Sequence, residues 1–128
     1  MKFRMPALCA ALCSAVLSVH SAAEVTLKDG VFTKAQAEKG KTVYEKNCAQ
    51  CHVTDFYVDK LKAFNQAPLS DFFYLVSDTM PQDRPGALYP EEYANAFAYI
   101  FSALGYPAGE KALNPEDGSM DEILIVSD

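Results

Sequence analysis

The chain has 128 residues, half of them hydrophobic, which is enough for one domain with a sizeable core. It carries 11 basic and 17 acidic residues, a formal net charge of −6. That balance is poorly suited to binding nucleic acid or an anionic membrane surface, and past the N-terminal region no stretch is long and apolar enough to span a bilayer.

Lys2 and Arg4 open the chain, an apolar run follows from Met5 to Val19, and Ser21-Ala22-Ala23 offers small residues for cleavage. This order reads as a signal peptide over 1–23, too short to serve as a membrane span, and predicts an exported, periplasmic protein. Its removal takes Lys2 and Arg4 and moves the net charge from −6 to −8. Cys9, Cys13 and His20 leave as well, so the mature chain keeps two thiols, Cys48 and Cys51, and one imidazole, His52. A lipid anchor on Cys9 or Cys13 is disfavoured, because both come early in the apolar run and lack small residues at the required places. Residues 24–32 form an N-terminal extension.

A first helix is expected from Thr33, with Gln36 completing a capping box, through Ala37, Gly40, Val43 and Tyr44. Gly40 inside a helix costs about 1 kcal/mol relative to alanine, so its use should be to let a second helix approach closely. The helix leads into Cys48-Ala49-Gln50-Cys51-His52. Two thiols three positions apart, with an imidazole directly after, form an attachment site for c-type haem. Each thiol can join one haem vinyl group as a thioether, and the histidine then lies under the iron. A structural zinc site would need about four N/S ligands, more than the mature chain has. A thioredoxin-like redox pair would adjoin a strand in a βαβ pattern, which is absent here. A Cys48–Cys51 disulfide would close a very small loop and stabilise little.

The bulky run Val53–Leu61 reads as a loop. A second helix is expected over Leu69–Ser77, with Phe72, Phe73, Leu75 and Val76 suited to walling a haem pocket. Met80, followed by Pro81, is the candidate second iron ligand; a thioether opposite a histidine gives six-coordinate iron and raises the reduction potential. Met120 lies in a polar tail and competes poorly. Arg84, in the loop after Met80, either pairs with the haem propionates or is a solvated partner of Asp83. A third helix follows from Pro90, with Glu91 and Glu92 at its positive end. Tyr93, Ala96, Phe97, Ile100, Phe101 and Leu104 form an apolar stripe expected to meet Gly40 and Tyr44. Gly105 and Pro107 end it. Nothing reads as a sheet. In the tail, Ile123-Leu124-Ile125-Val126 either contacts a partner or folds back on the domain, and truncation after Ser119 is expected to leave most electron transfer intact.

Taken in order, the first helix, Cys48-Ala49-Gln50-Cys51-His52, Met80-Pro81 and the last helix resemble a class I monohaem cytochrome c. The resemblance covers roughly Asp29 to Gly109. More narrowly, Asp29-Gly30-Val31-Phe32-Thr33, the run Thr79–Gly86 and Gly105-Tyr106-Pro107-Ala108-Gly109 resemble cytochromes associated with quinoprotein (PQQ-dependent) alcohol dehydrogenases. The resemblance implies an all-α small cytochrome c fold over 33–109, three or more helices wrapped around one covalent haem c, and a C-terminal tail over 110–128. It implies attachment at Cys48 and Cys51, His52 and Met80 as metal ligands, and no catalytic residues. The implied function is one-electron transfer from a periplasmic dehydrogenase to an oxidase or another cytochrome, with no substrate transformed. Three alternatives remain: a fixed cytochrome subunit of a dehydrogenase complex, a ligand-binding or peroxidatic haem protein, and a small helical scaffold without haem. The chain departs from the family between Val53 and Ala67, where it lacks the proline whose carbonyl accepts the haem histidine's second N–H, so another partner must orient that ring.

Overall fold

The computed structural model describes residues 23–127, so the signal peptide expected over 1–23 lies almost wholly outside the described residues. Four helices carry the architecture: α1 (Lys34–Asn47), α2 (Phe56–Ala63), α3 (Leu69–Thr79) and α4 (Pro90–Ala103). Two two-residue strands, β1 (Val25–Thr26) and β2 (Ile123–Leu124), are the only strands among the described residues. The class is all-α.

Helix α1 is charged on most of its surface and buries Gln36, Ala37, Gly40 and Tyr44 along one side. Thr33 caps it, accepting from the Gln36 N–H at 3.1 Å. The expected reciprocal half of the capping box is not formed. The Gln36 carboxamide instead donates to the Leu113 carbonyl and accepts from the Leu113 N–H, at 2.8 and 2.9 Å. A buried amide whose nitrogen and oxygen both find partners on the Leu113 backbone avoids the cost of unpaired polar atoms, which favours this use.

Helix α4 follows the sequence expectation at its start. Pro90 occupies the first turn, and the Glu92 carboxylate accepts from the Tyr89 N–H at 2.9 Å, so no serine or threonine cap is needed. Its buried residues extend beyond the expected stripe to Ala94, Asn95 and Ala98, because α4 is covered on two sides. The stripe residues Phe97 and Phe101 pack among Phe32, Phe72 and Phe73, with ring centroids 5.3–6.3 Å apart. The other side meets α1. There Gly40 abuts the Asn95 backbone so closely that a Cβ on Gly40 would lie 1.7 Å from the Asn95 oxygen. Tyr44 packs against Tyr99 at 5.1 Å, so α1 reaches α4 through Asn95 and Tyr99 more than through the stripe.

Two expectations are corrected, and the tail run is seen to fold back. The run after His52 is not simply a loop: α2 forms there, burying Tyr57 and Leu61 one turn apart, with Lys60 and Lys62 in its last turn. A small parallel pairing exists, Val25 opposite Ile123 and Thr26 opposite Leu124. The tail is part of the core, since Leu113, Met120, Ile123 and Ile125 are buried. It folds back on the domain, where the Gln66 N–H donates to the Ile125 carbonyl and the Ile125 N–H to the Ala67 carbonyl. The N-terminal extension is also anchored, with Leu27 and Phe32 fully buried. Gly109 locks it beneath the end of α4: its N–H donates to the Phe32 carbonyl at 2.7 Å, and a Cβ there would lie 1.9 Å from the Gly30 oxygen.

Candidate functional site

The packing of α1 on α4, with α3 alongside, leaves a cavity of about 890 Å³. This lies in the range of about 300–1,000 Å³ typical of cofactor sites. Cys48, Cys51 and His52 line it from the end of α1, and Met80 lines it from the end of α3. All four candidate residues therefore share one cavity although 28 positions separate His52 from Met80. Phe72, Val76, Tyr93, Phe97 and Ile100 supply apolar wall. Phe73, expected in that wall, instead packs into the core against Tyr93 and Phe97.

Local structure explains how each residue is presented. The Cys48 N–H still bonds to the Tyr44 carbonyl, and the N–H groups of Cys51 and His52 turn back to the Cys48 carbonyl. The motif is thus a tight turn wound onto the last turn of α1. Cys48 and Cys51 are both free thiols, Cys48 half-buried and Cys51 exposed. Burial pushes the Cys48 thiol up from its ordinary value. The His52 ring stacks on Phe56 at 4.4 Å and meets the Tyr57 edge at 6.0 Å. Those two residues come from α2, so the helix missed in the sequence is what packs against the histidine. Met80 caps α3, its N–H bonded to the Val76 carbonyl at 2.8 Å.

Two hydroxyls hold the backbone at the candidate ligands. Tyr44 donates to the His52 carbonyl and Tyr93 to the Met80 carbonyl, each at 2.6 Å. Both rings are buried. Burial, followed by the neighbouring Cys48 and Tyr99, raises the Tyr44 phenol, and burial likewise raises Tyr57, so both stay neutral around pH 7.

The cavity rim is cationic on a chain that is acidic as a whole. Lys46, Lys60 and Arg84 line it against a single carboxylate, Asp83. Lys60 lies over the Phe56 ring at 5.0 Å. Arg84 donates to the Asn47 side chain at 3.0 Å and approaches Asp83 at 3.4 Å. It thereby ties the loop after Met80 to the residue preceding Cys48. Tyr44, Tyr93 and Asn47 were not singled out as site residues in the sequence. Tyrosine and asparagine are ordinary helix-face residues, and only the tertiary contacts reveal their use.

The donor set suits a covalently held haem. Two thiols three residues apart, an imidazole and a thioether face one mostly apolar cavity, and among the described residues no three His, Cys, Asp or Glu side chains cluster to hold a metal ion directly. The family model described as cytochrome c oxidase, cbb3-type, subunit III matches residues 35–100, just over half of the chain. The fold and site define a c-type cytochrome domain, a haem-based electron-transfer class rather than an enzyme class. The chain belongs to the family which that model describes. Neither a curated protein nor a solved structure matches it. No helix among the described residues is long and apolar enough to cross a membrane.

Proposed function

We propose that the protein is an exported, periplasmic one-electron carrier holding one haem c, attached through Cys48 and Cys51 and ligated by His52 and Met80. The observation that carries this reading is the convergence of those four side chains on a single apolar cavity in a cytochrome c domain. The haem would supply the Fe(III)/Fe(II) couple, and methionine ligation would raise its potential. The chain's own residues supply the rest. Phe72, Val76, Phe97 and Ile100 line the cavity and would exclude water from a bound haem. Lys46, Lys60 and Arg84 offer positive charge at the rim, where propionates would find it.

The donor in this account is a periplasmic dehydrogenase, with a quinoprotein-type enzyme favoured by the sequence runs around Asp29–Thr33 and Thr79–Gly86. The acceptor is an oxidase or another cytochrome. A second reading, a fixed subunit of a larger oxidoreductase, is favoured by the family's description as an oxidase subunit. Stable co-purification with a larger chain from native membranes or periplasm selects that reading, and its absence selects the free carrier. A peroxidatic haem protein would need an open iron position, and reduced protein that binds carbon monoxide at neutral pH would support it.

The decisive variant is Met80→Ala. It should remove the weak red charge-transfer band of the oxidised protein and lower the potential. Met120→Ala should keep the band, because Met120 is buried in the core and does not line the cavity. The opposite pattern overturns the ligand assignment.

A further inference from the structure

The two buried phenols have an arrangement that core packing alone does not require. Tyr44 stands on α1 and donates to the carbonyl of His52; Tyr93 stands on α4 and donates to the carbonyl of Met80. Both bonds are 2.6 Å, at the short end for O–H···O. Tyr44 lies one turn beyond Gly40 and Tyr93 two residues before Asn95, the pair at which α1 and α4 touch backbone to backbone. Both phenols therefore stand within about one turn of the point where α1 and α4 touch.

Building on the ligand reading above, we propose that Tyr44 and Tyr93 are positioning residues that fix the separation of the two iron ligands by tying each ligand's backbone to the α1–α4 crossing. The segments that carry the ligands are more exposed than that crossing. His52 sits in a turn followed by the exposed Val53, and Met80 begins a run in which residues 82–87 are all exposed. The proline that would ordinarily accept from the haem histidine is absent from the run after His52. A hydroxyl bonded to the histidine's own carbonyl fixes the backbone from which the ring extends.

The two ties differ in consequence. His52 is also restrained by the adjacent Cys51 attachment, whereas Met80 is a single weak ligand with no covalent tether. Were Met80 to leave a bound haem, the Tyr93 bond would oppose any shift of its backbone. Its loss should raise the population of the open state roughly two- to tenfold, the usual net worth of one hydrogen bond.

The test is an imidazole titration of the oxidised, haem-loaded protein, read by loss of the red charge-transfer band. Tyr93→Phe should reach half-displacement at a roughly two- to tenfold lower imidazole concentration than wild type. Tyr44→Phe should titrate like wild type but change the spread of haem-methyl resonances, which reports the His52 ring orientation. Tyr99→Phe is the control, since Tyr99 neighbours Tyr44 but the bonds to the His52 and Met80 carbonyls come from Tyr44 and Tyr93, so it should alter neither readout. Each substitution removes one oxygen and keeps the ring, and far-ultraviolet circular dichroism checks that the helices persist. Equal imidazole affinity in Tyr93→Phe and wild type overturns the proposal. So does an equal increase in all three variants, which would signal general loosening. A wild-type protein without the red band overturns Met80 ligation itself, and this inference falls with it.

Discussion

Replacing Gly40 by alanine is the sharpest structural test of the helix crossing that carries the site. In a solvated helix the change stabilises by about 1 kcal/mol, because alanine has the better propensity. Here the added methyl would sit 1.7 Å from the Asn95 oxygen and 2.4 Å from its carbonyl carbon, where ordinary contact begins at 3.4 Å. Both atoms belong to backbone, so no side chain can swing aside; α1 and α4 must separate by more than an ångström. That separation also loosens Tyr44 from Tyr99, which pack at 5.1 Å. Overpacking of this kind costs about 1–3 kcal/mol, and a rigid backbone obstacle belongs at or above the upper end. The net effect should be a loss of about 2 kcal/mol after the propensity gain. With a urea dependence of about 1–3 kcal/mol per molar for a small domain, the unfolding midpoint should fall by roughly 1 M. Urea unfolding followed by circular dichroism measures it. A midpoint equal to or above that of wild type would refute the crossing geometry, because the propensity gain would then stand unopposed.

Gln36→Ala should lower stability by about 1–3 kcal/mol, because it leaves the Leu113 N–H and carbonyl without their buried partner. Limited proteolysis should then cut near Leu113 in the variant and spare wild type; equal cutting rates would count against the tie. Truncation after Ser119 removes Met120, Ile123 and Ile125 from the core. At about 1.5–3 kcal/mol for each buried side chain, the loss approaches the total stability of a typical domain, so the truncated chain should fail to give a cooperative melt. A truncated protein that melts like wild type would show that the tail is dispensable. Asp29 accepts from the Thr26 N–H and hydroxyl, and these bonds hold its carboxyl below the ordinary 3.8. A depressed folded value means that the contribution is present at neutral pH and lost as pH falls through that value. Asp29→Asn should therefore unfold earlier than wild type at pH 7, with the difference vanishing in strong acid; a difference independent of pH would contradict this.

What was legible in the sequence had strong local signals. Cys48-Ala49-Gln50-Cys51-His52 stood out by residue type and spacing, and the structure places Cys48, Cys51 and His52 on one cavity. Pro90-Glu91-Glu92 marks a helix start through fixed φ and favourable charge at the positive end. Gly40 could be read as a close approach because glycine is otherwise unfavourable inside a helix. What escaped depended on tertiary context. Helix α2 is eight residues long and buries only Tyr57 and Leu61, too few for a periodic pattern. Met120 is flanked by Asp117, Gly118, Ser119 and Asp121, so its burial beside Ile123 could not be read from local polarity. Gln36 resembled a capping residue because its spacing from Thr33 is right, and only Leu113, 77 positions away, shows where its amide goes. The same holds for Tyr44 and Tyr93, whose acceptors are carbonyls supplied by other segments.

A thioether-bound haem with a methionine ligand leaves two signatures in a single absorption experiment. The protein is produced with haem-attachment machinery, extracted with acid–acetone, and its oxidised and reduced absorption spectra are recorded before and after. The haem should stay with the polypeptide if Cys48 and Cys51 are its thioether anchors. The oxidised protein should also show the red charge-transfer band before extraction. Haem recovered in the acetone phase, or an oxidised protein without that band, would contradict this assignment.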